Sequence, residues 1–162
     1  MKNQGEGNIK MIWFLVAAGV CGGDLWIKKW IRDHKDLNSR QAVAGGHIVI
    51  TKYFNDGAML GALRHHARLL AGITVFLLGL VCGLLAAAAG SDGSRMLKLG
   101  LALILGGAAS NAAERLTCGR VTDYFRISIG CRRLERIIFN IGDFCIFAGA
   151  ALAVLAGLSE KK

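Results

Sequence analysis

The sixteen residues from Ser110 to Phe125 read SNAAERLTCGRVTDYF, and they follow directly on an apolar run that begins near Met96. The stretch changes character twice. Its first half continues the run but carries Asn111, Glu114 and Arg115 at helical spacing, and its second half, RVTDYFRISI when extended, is β-branched and aromatic with Asp123 inside it. On a helix, residues three and four apart share a face, so Asn111, Glu114 and Arg115 point one way. A helix emerging from an apolar solvent into a short strand, with acids on both, is the feature on which the fold turns.

Composition says which solvent. The chain has 162 residues, 54% of them hydrophobic, with a mean hydropathy of +0.46, no proline and 22 glycines. That is too apolar for a water-soluble domain of this size, and glycine-rich, proline-free helices suit close packing in a bilayer. Four apolar segments fit spans at approximately 10–27, 69–89, 96–113 and 137–158 in a single domain covering 1–162. The first apolar run, Met11 to Gly23, is too short alone for roughly 30 Å of hydrocarbon and must continue past Asp24. Lys2 and Lys10 ahead of it resemble a secretory signal, but Val20 stands directly before Cys21 where a small residue is needed, so an uncleaved first helix is expected.

Two large loops then lie on one face of the bundle and the short loop SDGSR on the other. In the first large loop WIKKWIRDHK sets Trp26, Ile27, Trp30 and Ile31 on one helical stripe opposite Lys28, Lys29 and Arg32, the pattern of an interfacial helix. An ordinary helix end with aromatic anchors has the same pattern. Further on, HIVITKYF after Gly45 and Gly46 predicts a strand closed by the turn-like NDG, and RVTDYFRISI predicts a second. The expected fold is an all-α membrane protein of four transmembrane helices, with a small sheet perched on the bundle and an interfacial helix on the same face as the two large loops.

The polar residues inside the spans carry the chemistry. Asp24 and Lys28 are four apart and can pair, and Asn140 and Asp143 are three apart on the last span. A carboxylate at membrane depth costs several kcal/mol unless paired, hydrated or protonated, about 2.5–3.5 on insertion scales, so Asp143 is expected to face the bundle interior. Such residues can simply join helices. Against that stands Asp123, placed to approach Asp143: two carboxyls in a low-dielectric cleft do not both ionise, so one keeps a proton while the other acts as base. That pair can activate water against an amide.

GGAASNAAERLTCGRVTDYF and FNIGDF together resemble the two C-terminal motifs of the lipoprotein signal peptidases, the signal peptidase II family. DLWIK (Asp24 to Lys28) resembles the family's first-helix motif and FNDGAMLG (Phe54 to Gly61) its Asn-x-Gly-Ala block, in the same order. The resemblance implies an aspartic membrane peptidase that removes the signal peptide of prolipoproteins just before a diacylglyceryl-modified cysteine. It implies Asp123 and Asp143 as catalytic acids, Asn55, Asn111, Arg115 and Asn140 along the substrate, and Asp24, Lys28 and Glu114 as supporting polar residues. It implies the four helices, the β-cradle and the interfacial helix, and a multi-pass bacterial inner or plasma membrane location. Glu114 stands where the family usually has Asp, Ser110 where it has Gly, and Gly142 where it has Ala.

One pattern opposes the resemblance. Of the 20 Lys and Arg, 8 lie between Trp26 and Arg68 and 6 between Glu114 and Arg136, leaving 6 on the other side (Lys2, Lys10, Arg95, Lys98, Lys161, Lys162). The positive-inside rule would put the large loops in the cytoplasm; the resemblance puts them outside, with cations free to grip anionic headgroups. The net charge of +9 is thus assigned to membrane phospholipids and not to nucleic acid. The five cysteines show no C-x-x-C spacing, although Cys118 and Cys131 share a loop and can pair; the adjacent His65 and His66 point about 100° apart on a helix and make a poor metal site. No cofactor or metal is expected. Two other functions are compatible with the residues: a non-cutting relative that binds lipidated peptide, and a small proton-linked transporter using Asp143 and Asp24 as a relay.

Overall fold

The computed structural model describes residues 2–56, 67–131 and 133–159. Its elements run α1 (Lys2–His34), β1 (Gln41–Val43), β2 (Ile48–Asn55), α2 (Ala67–Ala89), α3 (Arg95–Cys118), β3 (Val121–Ile127), β4 (Ile138–Phe139) and α4 (Ile141–Ser159). Each helix contains a stretch long and apolar enough to cross a membrane: Met11–His34, Gly72–Ala89, Arg95–Cys118 and Ile141–Ser159. The four strands form one antiparallel sheet in the order β1-β2-β3-β4. The two strands expected from their β-branched runs therefore form and pair with each other.

α3 is the central helix. It packs on α1, α2 and α4, and its small residues let the backbones close in. A methyl group at Gly100 would lie 2.7 Å from the carbonyl oxygen of Gly149, and one at Gly107 would run into the carbonyl of Gly142. Gly100 and Gly107 are two turns apart on one face, which α4 covers, while Gly106 meets Ala17 and Val20 of α1. On the remaining side Ala17, Leu85, Leu101 and Ala102 form an apolar core with Trp13, Phe14, Val81 and Leu105 against it. Ser94 caps the start of α3 through Leu97 N, and Gly119 ends it in the left-handed conformation (φ 72°), its N–H returning to the Arg115 carbonyl. The third helix thus runs five residues beyond the expected Ala113, and the fourth starts at Ile141, four later than expected, because 138–139 is spent on β4.

The WIKKWIRDHK segment corrects the stripe assigned to it. It is no separate interfacial helix but the last turns of α1, which continue unbroken to His34, and no separate one occurs among the described residues. Ile31 and Lys28 are buried, whereas Trp26 and Trp30 are 69% and 44% exposed beside Lys29. Lys28 turns inward because acceptors await it there. Trp26 and Trp30 stay on the outside of the helix end, the placement that the aromatic-anchor pattern requires. Lys52 of β2 then closes the helix, donating to the carbonyls of Arg32 (2.7 Å) and Lys35 (2.6 Å), a cation where the helix leaves carbonyls unpaired. All five cysteines are free, so Cys118 and Cys131 are not bonded. His65, His66 and the Gly57–Gly61 part of the Asn-x-Gly-Ala block lie outside the described residues.

Candidate active site

Where the C-terminal ends of α1 and α3 and the N-terminal end of α4 meet the sheet, the chain buries a set of polar side chains that would be prohibitive singly. Lys28 is 0% exposed. Its Nζ lies 2.8 Å from Asp24 Oδ2, one turn back on α1, donates to Ser110 Oγ (3.0 Å) and to Asn111 Oδ1 (2.6 Å), and comes within 3.7 Å of Glu114. An ammonium has three protons to place, and three acceptors on two helices take them, which is how a buried charge is tolerated. Asn111 then passes the contact on: its Nδ2 donates to Asp143 Oδ1 at 2.9 Å.

Asp143 is placed by the cap of its own helix. Asn140 is the N-cap of α4; its Oδ1 accepts from Asp143 N (2.9 Å), and Asp143 Oδ2 accepts from Asn140 N (3.0 Å). This is the reciprocal capping box with Asp as the returning acid, in the first turn where a helix end carries partial positive charge. Asn140 has a further hydrogen bond: its Nδ2 donates to Asp123 Oδ1 at 2.8 Å. One wholly buried side chain therefore holds both acids together.

Asp123 comes from the sheet. On β3 it stands opposite Tyr53 of β2, so Asn55, two residues on along β2, sits diagonally on the same face and donates through Nδ2 to Asp123 Oδ2 at 3.0 Å. A bulge between Ile50 and Tyr53 adjusts the register that brings it there. Burial pushes the Asp123 carboxyl up to about 7; the negative charge of Asp143 adds to the rise, against the lowering effect of the Asn55 and Asn140 hydrogen bonds. Arg115 lies within the field of both acids, and its Nε is buried with no hydrogen-bond partner among the described residues.

Every residue expected at the site from the sequence is brought here. Glu114 does not touch the acids; it accepts from Thr122 N (2.7 Å) and Thr122 Oγ1 (2.9 Å) and pairs with Arg32, so it fixes the start of β3 to the end of α3 and α1. Ser110, Thr122, Arg32 and Tyr124 also belong, and spacing did not disclose them as site residues. Ser110 Oγ donates to Asp24 Oδ2 at 2.5 Å. Tyr124 donates to Asp24 Oδ1 at 3.0 Å and accepts from Ile141 N at 3.1 Å, and burial, with the charge of Asp24, raises its phenol so that it stays protonated.

The model of the family Signal peptidase (SPase) II matches residues 16–159. The chain belongs to the signal peptidase II family. Among its relatives, the lipoprotein signal peptidase of Syntrophus aciditrophicus is 32% identical over 158 residues, covering 94% of this chain and 96% of that one. That of Listeria welshimeri is 28% identical over 145 residues, covering 90% and 92%. A solved bacterial membrane enzyme superposes with a TM-score of 0.80 at 24% identity, over 93% of this chain and 90% of that one, so the fold is shared. Family membership makes the chain a peptidase, and with its four helices a multi-pass bacterial membrane protein.

Proposed function

We propose that the chain is an aspartic endopeptidase that cuts prolipoproteins immediately before a diacylglyceryl-modified cysteine, using Asp123 and Asp143 across residues 1–162 as one domain. The observation that carries this reading is Asn140, whose side chain bonds Asp123 and whose backbone bonds Asp143. Two acids held by one residue, one of them pushed up to about 7, share a proton near neutrality. Asp143 takes a proton from water as its oxygen attacks the scissile carbonyl carbon. Asp123 gives its proton to the carbonyl oxygen as negative charge develops there. The resulting diol collapses: the C–N bond breaks, the proton held by Asp143 passes to the departing amine of the lipidated cysteine, and the diol returns a proton to Asp123. The signal peptide leaves with a new carboxyl group.

Asn55, Asn111 and Asn140 hold the acids, and Arg115 is the group left to grip the peptide. Diacylglyceryl chains lie in the bilayer beside the helices and set the register. The test is incubation of the purified protein with a diacylglyceryl prolipopeptide and detection of the two fragments by mass. Cleavage is expected to fall about tenfold per pH unit above about pH 7, where the last proton of the pair is lost. Intact substrate at every pH would leave the non-cutting binder as the better reading.

For orientation, we propose that the sheet faces outward despite its excess of cations. Cys118 and Cys131 are exposed on that side, so an impermeant maleimide should label them in intact spheroplasts. Labelling only after lysis would reverse the topology.

A further inference from the structure

Directly after Asp123 the chain places Tyr124, whose side chain leaves β3 toward the helices and is 3% exposed. Its hydroxyl uses both of its hydrogen-bonding capacities on different helices. It donates to Asp24 on α1 and accepts from the backbone N–H of Ile141, the first residue of α4. That N–H is one of the four that a helix start leaves without a partner, and two residues further on stands Asp143. Asp24 is itself immobile: Lys28 and Ser110 hold its other oxygen, and it is 1% exposed. The same carboxylate is seated against α4, since a methyl group at Gly142 would lie 2.9 Å from Asp24 Oδ2 and 2.9 Å from Asn140 Oδ1. The first turn of α4 therefore rests on Asp24, with Tyr124 as the strut between them.

We infer that Tyr124 is a positioning residue of the peptidase: its hydroxyl joins Asp24 to Ile141 and so fixes where Asp143 stands relative to Asp123. The inference rests on the peptidase reading. Asn140 sets the two acids from the site side, and Tyr124 sets the same helix turn from the opposite, closed side. No reacting atom need touch the phenol. Its work is done through the backbone of α4, and a displacement of the order of 1 Å at an acid is enough to cost about 10²-fold in rate.

The variant is Tyr124→Phe, which keeps the ring and its packing and removes only the hydroxyl. It is measured in the full-length protein in detergent with a diacylglyceryl prolipopeptide, beside the wild type. A positioning role predicts kcat lower by about 10- to 100-fold with KM within about twofold, because the peptide and lipid contacts are intact while the acids are misplaced. A second readout does not depend on cleavage: amide hydrogen exchange at 141–143 should quicken by at least about tenfold while the middle of α4 is unchanged. Unchanged kcat in Tyr124→Phe beside an active wild type would overturn the inference and leave the peptidase reading standing. An inactive wild type would overturn both. A variant that no longer folds, or one that loses kcat only in proportion to a general rise in exchange along α4, would make the hydroxyl a support of the fold and overturn the inference too.

Discussion

α2 and α3 are of nearly equal length, 23 and 24 residues, and both are apolar enough to span a bilayer, yet 44% of the most apolar stretch of α3 is buried in protein against 11% of that of α2. Phe76, Leu77, Leu80 and Leu84 of α2 face outward, and among the described large side chains of α2 Leu85 alone is wholly enclosed. α3 packs against α1, α2 and α4, and it carries Ser110, Asn111 and Glu114 because the neighbouring elements supply their partners. The difference shows how a bilayer enzyme divides its work: one helix needs only to dissolve in lipid, while another gives up hydrophobicity to build a site. Lipid rewards any apolar residue, whereas a packed polar site accepts few substitutes.

The sharpest contrast lies in the acids that α3 and its neighbours position. Asp123→Asn and Asp143→Asn are each expected to lower cleavage at least about a thousandfold, with the double variant little worse than either, because the pair acts as a unit. Asparagine is nearly the size of aspartate but neither takes nor gives the required proton. Accumulation of uncut, lipid-modified prolipoprotein in cells, together with retained binding of the same substrate in detergent, is the measurement. Leu77→Ala or Leu80→Ala on α2 should cut at the wild-type rate. Near-normal cleavage by either single acid variant would end the comparison.

Glu114 should rank next, and by stability more than by chemistry. Glu114→Ala strips the acceptor from the buried Thr122 N–H and takes from Arg32 its carboxylate partner, a loss of about 2–4 kcal/mol by the usual cost of such groups. Glu114→Asp, one methylene shorter, is expected to keep activity within about tenfold. Thermal unfolding in detergent alongside turnover separates the two effects. A well-folded Glu114→Gln with no turnover at all would move Glu114 among the acids that react.

Much of this contrast is legible in the sequence. Apolar length gave the helices, and β-branched runs gave β2 and β3. Pairs at i, i+3 and i, i+4 placed Asp24 with Lys28 and Asn140 with Asp143, because those contacts are local. What depended on distant approach was hidden. Spacing puts Lys28 both on the cationic stripe of WIKKWIRDHK and one turn from Asp24; its other partners, Ser110 and Asn111, lie more than eighty residues away, and no local pattern announces them. β1 and β4 are 3 and 2 residues long, too short for any alternation to register. Tyr124 carries no sign of its role, since a strand tyrosine next to an acid reads as ordinary core. Of the departures from the family pattern, Gly142 gains a reason only from the structure, where Asp24 and Asn140 occupy the space of a methyl group.

Glycine can sharpen the comparison further. In α3 a methyl group at Gly107 would collide with the backbone of Gly142 and crowd Ile146 Cγ1 at 3.1 Å, and backbone cannot step aside as a side chain can. Gly107→Ala is expected to cost about 1–3 kcal/mol of stability by forcing α3 and α4 apart. Activity should fall with it, because the displaced turn carries Asp143. A thermal midpoint equal to that of the wild type would mean that the two helices can part freely and that the close approach is incidental.

The smallest effect should come from the same change in α2, with the opposite sign. Gly83 is exposed and nothing lies within 4 Å of where its methyl group would stand. Alanine there meets no protein atom, and it lowers the freedom of the unfolded chain and favours the helix, which together stabilise by about 0.5–1 kcal/mol. Gly83→Ala should therefore raise the thermal midpoint slightly and leave kcat and KM unchanged. Combined with Gly107→Ala it should add simply, since the two sites share no neighbours. A loss of stability or activity at Gly83 would mean that α2 is covered by something other than lipid on that face, and the division between a helix made for solvent and a helix made for the site would no longer hold.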